Sequence, residues 1–94
     1  MLQTDLVSAV RRQRGFMRQM LELEHAGAVT AEHLAAELEP YRAFLQQAGS
    51  ADKELQVPGL LLDLVWHTHM LHPQRYASEC RRIAGRFVDH DDDA

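Results

Sequence analysis

The chain has 94 residues, 46% of them hydrophobic and 26% charged, with a formal net charge of −4. That is the composition of one globular domain, and it excludes a disordered chain and a second domain of ordinary size. The single cysteine, Cys80, excludes an internal disulfide framework and fits a reducing compartment. No apolar run reaches the ~18 residues of a membrane span. The N-terminus lacks a signal-peptide pattern, so a soluble, cytoplasmic protein is expected.

In chain order, the first expected helix runs from about Thr4 to Leu23, capped by Thr4 or Asp5, with Leu6, Val10, Met17, Met20 and Leu21 at helical spacing. Arg11, Arg12, Arg14 and Arg18 occupy mainly its other face, and Gly27 is its stop. Residues 1–20 sum to +3 and residues 21–56 to −5. One arginine patch on a net-acidic protein is a poor footprint for nucleic acid and reads as a solvated helix face. The second helix opens at Thr30 and carries Leu34, Leu38, Tyr41, Phe44 and Leu45 as its apolar stripe, and Gly49 ends it. Pro40 must kink or break it, because proline lacks the donor and crowds the preceding turn.

The third helix opens near Pro58, where proline is tolerated, and its residues Leu60, Leu61, Leu62, Leu64, Val65 and Trp66 point in all directions. A helix apolar all round belongs at the centre of a bundle. Pro73 forces an end near Leu71 or His72. The fourth helix runs from Pro73 to Ala84, with Gly85 beyond it and Tyr76, Ala77, Cys80, Ile83, Ala84 and Phe87 on its apolar face. No β-branched alternation is present. The expected fold is therefore all-α, a small bundle of about four helices around a buried third one, forming a single helical domain over residues 1–94.

Chemistry concentrates in Asp63-Leu-Val-Trp-His-Thr-His-Met-Leu-His72, where three of the six histidines fall within six residues. His67 and His69 stand about 200° apart on a helix and cannot face one ion from its interior. Asp63 and His67, four apart, share a face, so the carboxylate can hold the imidazole in one tautomer. His69 and His72 could converge at a frayed helix end. Cys80 and His90 could bring further ligands, a set suited to zinc. The competing reading makes Asp63–His67 a mutually satisfied polar pair, Trp66 and Tyr76 core residues, and Cys80 an inert thiol. Nucleophilic catalysis has little support, since apolar neighbours would raise the Cys80 pKa and no phosphate loop or nucleophile elbow is present.

The stretch "VPGLLLDLVWHTHMLHPQRYASECRRIAGRFVDHDDD" resembles the glycine-rich domain-containing protein-like family. The positions that carry the likeness are Val57-Pro58, Asp63, Trp66, His67, His69, Tyr76, Cys80, Gly85 and His90-Asp91, and "LEPYRAFLQQA" (38–48) is similar to the family's Tyr-x-x-Phe-Leu helix. The likeness covers roughly residues 38–92, with an acidic tail over 89–94. It implies a constellation rather than a defined reaction. Its motif omits His72, which directs the expected ligand set to His67, His69, Cys80 and His90, with Asp63, Trp66 and Tyr76 in support. Plant members carry a Gly-rich tail with a proposed RNA link; this chain has five glycines, so that role is not transferred. The expectation is a metal-binding accessory protein with another protein as partner. A structural interaction module is the alternative, and a small His/Cys enzyme the third reading.

Overall fold

A computed structural model describes residues 2–50 and 58–90 as five helices: α1 (Leu6–His25), α2 (Ala31–Ala36), α3 (Leu38–Ala48), α4 (Leu60–Met70) and α5 (Pro73–Ala84). No strand occurs among the described residues. The fold is an all-α bundle. Much of the turn-rich stretch 48–59 and most of the acidic tail lie outside the described residues.

Local chemistry explains the helix boundaries. The Asp5 carboxylate caps α1 by accepting from the Ser8 N–H at 3.1 Å and from the Ser8 hydroxyl at 2.8 Å. Those bonds hold its pKa below the ordinary carboxylate value. Thr30 caps α2 by accepting from the His33 N–H at 3.1 Å. The expected second helix is two helices, parted at Glu37. Pro40 lies in the first turn of α3, where its missing N–H costs nothing and its ring excludes the carbonyl four residues back from helical continuation. Pro73 is the first residue of α5, and Gly85 ends it in the left-handed region at φ 81, donating its N–H to the Arg81 carbonyl.

The core is aromatic. Tyr41, Phe44 and Leu45 of α3, Trp66 of α4, Tyr76 and Cys80 of α5 and Val88 beyond it are buried together. Phe44 meets Trp66 edge-on at 4.8 Å between ring centroids. Helix α4 packs against both α3 and α5. It is half-covered on every side from Leu61 to Val65, and Trp66 alone is fully buried, so this central helix is shared between core and surface.

Helix α1 departs from the sequence expectation. It buries no residue, and of its expected core stripe only Met20 is half covered, while Leu6 stays exposed at 52%, Val10 at 53% and both Met17 and Leu21 at 55%. The face it turns inward, about 100° round the helix, carries the half-covered Phe16, Met20 and Leu23. Phe16 stacks on His67 at 4.1 Å and 12°, a flat contact that the aliphatic stripe cannot make. Nothing lies within 4 Å of a Cβ built on Gly15 in the middle of α1. Gly15→Ala should therefore stabilise the protein by up to about 1 kcal/mol through helix propensity alone, read as a raised denaturation midpoint with unchanged urea m-value.

Candidate metal centre

The His-rich corner joins α4 to the segment after α5. Gly85 turns the chain back, and Val88 is buried at 5% exposure. The Tyr76 hydroxyl ties that segment down by donating to the Val88 carbonyl while accepting from Trp66 Nε1 at 2.8 Å. Burial raises the Tyr76 pKa, so the phenol stays a donor. Two residues on, His90 reaches the first turn of α4. Its Nε2 lies 2.9 Å from Asp63 Oδ1, and because a carboxylate only accepts, the ring donates.

His67 completes the corner. Its Nε2 stands 3.6 Å from the same Asp63 oxygen, beyond a direct hydrogen bond but within electrostatic reach. The three donor atoms of Asp63, His67 and His90 all lie within 4.8 Å of one another. The imidazoles meet edge-to-face at 4.4 Å, with the His90 ring against Trp66 at 4.3 Å and Phe16 over His67. The walls are thus aromatic and one side is partly open, with side-chain exposures of 20%, 26% and 13% for Asp63, His67 and His90.

His69 leaves the α4 surface on another side, as its spacing from His67 requires. Its Nε2 lies 3.0 Å from Glu79 Oε1 and its Nδ1 lies 2.6 Å from the Tyr41 hydroxyl. The carboxylate fixes Nε2 as the donor, which leaves Nδ1 to accept from Tyr41 in the neutral ring. Burial pushes the Tyr41 pKa up. Cys80 is fully buried beneath this layer as a free thiol. The expected set His67, His69, Cys80 and His90 is therefore divided: His67 and His90 meet at Asp63, whereas His69 and Cys80 are not in that group. Asp63, expected to orient His67, is itself one of the three residues whose side chains converge there. His72 begins α5 as its N-cap residue and is exposed.

Sequence reasoning missed Phe16, Tyr41 and Glu79 as neighbours of these histidines. Only the α4–α5 crossing brings Glu79 to His69, so no local spacing announced it. The hydrogen bond from His69 holds the Glu79 pKa below its ordinary value, with Arg82, at 3.3 Å, a smaller influence. The resulting stability is complete above the ordinary carboxylate pKa and is lost as pH falls through the lowered one. Glu79→Gln should flatten that acid limb, seen as urea midpoints that depend less on pH below the ordinary carboxylate range.

Fold and site together define a small helical module with an acid–histidine corner between its fourth helix and its C-terminal segment. The chain belongs to the glycine-rich domain-containing protein-like family, whose model matches residues 1–79. That match takes in α1, which lies outside the motif-bearing stretch 38–92, and it stops before His90. Glycine-rich domain-containing proteins 1 and 2 of Arabidopsis thaliana are each 34% identical over 92 residues, covering 94% of this chain. The chain spans 11% of the length of each of these relatives. No solved structure matches it. No helix among the described residues is long and apolar enough to cross a membrane.

Proposed function

We propose that this chain is a metal-binding accessory domain, in which Asp63, His67 and His90 hold one divalent transition metal, zinc by preference, and a partner protein is the object of its action. The observation that carries this reading is the convergence of three donors from α4 and the C-terminal segment within 4.8 Å. Ligands at ordinary zinc bond lengths stand about 3.3 Å apart around a tetrahedral ion. The Asp63 oxygen lies 2.9 Å from one imidazole nitrogen and 3.6 Å from the other, which brackets that value. Two imidazoles and a carboxylate are a borderline donor set suited to zinc. The ion would take the place of the Nε2 proton that His90 donates to Asp63, the ring then carrying its proton on Nδ1, and binding would weaken in acid because protons compete for the imidazole and carboxylate ligands. Three protein ligands leave a fourth position for water or for a donor from a partner. A free cysteine fits a cytoplasmic setting.

The test is a zinc titration of untagged protein by calorimetry, with melting followed in parallel. One zinc per chain is expected. At a free concentration 100 times Kd, zinc should add about 2.7 kcal/mol, or roughly 10–20 °C in Tm for a domain of this size. His67→Ala and His90→Ala should abolish the response, and His69→Ala should retain it. A second reading rests on the 2.9 Å Asp63–His90 bond, which makes the corner a structural latch for the C-terminal segment. In that case zinc and chelator leave Tm unchanged while Asp63→Ala still destabilises.

A further inference from the structure

Two exposed apolar surfaces remain outside the metal centre. The first is the α1 stripe of Leu6, Val10, Met17 and Leu21, each more than half exposed. The second is a groove of about 640 Å³ between α2–α3 and α4, walled by Leu34, Leu38, Leu64 and Val65, with Tyr41 and His69 at its end. Its wall is almost wholly aliphatic and aromatic: the Tyr41 hydroxyl is taken by His69, and both nitrogens of His69 are engaged. Such a groove suits aliphatic side chains spaced along a helix better than a polar small molecule.

The charges identify the helix. Arg11, Arg14 and Arg18 line one edge of the α1 stripe, in a helix whose four arginines outweigh Glu22 and Glu24 for a net charge of +2. The α2–α3 stretch that walls the groove carries Glu32, Glu37 and Glu39 against Arg42, a net charge of −2. Apolar surface and the net charge of the elements that carry it are complementary between the two sites, and both belong to the same chain. The chain's own α1 is held on the neighbouring face of α4 by Phe16 on His67, with its stripe turned outward. We propose that a second copy of this chain is the occupant: the α1 stripe of each protomer lies in the α2–α3–α4 groove of the other, closing a two-fold dimer with two identical helix-in-groove contacts. Arginines of one copy then face glutamates of the other, so the association weakens with added salt.

The experiment is sedimentation velocity across a concentration series, using the full chain. Wild type should pass from monomer to dimer. Val10→Asp with Met17→Asp disables the stripe, and Leu38→Asp disables the groove; all three positions are more than half exposed, so the fold should survive, as circular dichroism would check. Each variant alone should dimerise at least about tenfold more weakly, the loss expected from burying one fewer aliphatic side chain. A one-to-one mixture should recover a heterodimer, because it restores one intact stripe facing one intact groove. A wild-type chain that stays monomeric throughout overturns the proposal, whatever other protein binds it. Dimerisation of undiminished strength in either variant alone also overturns it, since stripe would then pack on stripe or groove on groove. Zinc-independent dimerisation would leave this conclusion standing even if the metal centre failed its own test.

Discussion

Gly49→Ala is expected to cost more than about 3 kcal/mol, the upper range for forced overpacking, and to leave little folded protein at 37 °C. The backbone of Gly49 is ordinary, at φ −75 and ψ −15, so an alanine could adopt it without torsional strain. The obstacle is proximity: a Cβ there would stand 2.0 Å from the Ala84 carbonyl oxygen and 2.8 Å from the Ala84 Cβ. Backbone atoms of α5 cannot rotate aside as a side chain could. Relief would require the end of α3 to part from α5, which would stretch the Arg86 bond to the Ala48 carbonyl, 2.8 Å at this joint. It would also loosen the α3–α5 seam in which Leu45 and Cys80 are buried. Comparing Gly49→Ala with Gly15→Ala isolates the effect, since the same substitution in open space should be neutral or stabilising. Equilibrium urea unfolding of both variants is the measurement, and a Gly49→Ala protein as stable as wild type would mean that the two helices do not approach this closely.

Tyr76→Phe should destabilise by about 2–4 kcal/mol while preserving the shape of the core, because it orphans two buried polar groups at about 1–3 kcal/mol each, not fully additively. Trp66 Nε1 loses its acceptor and the Val88 carbonyl loses its donor. The second loss reaches the proposed metal centre, since the Tyr76–Val88 bond anchors the segment that delivers His90 to Asp63. Zinc affinity should therefore fall as well, within the roughly 10–100-fold range seen when a supporting residue beyond the ligands is removed. Paired calorimetric titrations of wild type and Tyr76→Phe, below the Tm of each, would separate this effect from unfolding. An unchanged zinc affinity would show that Asp63 alone holds His90 in position.

Much of this architecture was legible in one dimension because its causes are local. Asp5, Thr30, Pro40, Pro73 and Gly85 set helix boundaries through bonds and clashes within a turn or two of themselves. The Asp63–His67 proximity follows from helix pitch, as does the divergence of His67 from His69. What spacing could not supply was the occupant of each imidazole. Both faces of α1 are apolar enough to have been chosen, and the choice fell to the aromatic contact between Phe16 and His67.

The sequence by itself determined that the chain is helical, where its helices start and stop, and that α4 carries an acid and an imidazole on one face. Hydrogen bonds and steric exclusions between near neighbours suffice for all of that. Only the tertiary structure decided that His90 returns to Asp63, that His69 is taken by Tyr41 and Glu79, and that the aliphatic stripe of α1 faces outward. Those outcomes depend on how α3, α4 and α5 cross around Trp66 and Tyr76. Crossing geometry arises from side-chain packing between residues far apart in sequence, which no periodicity within a single helix encodes.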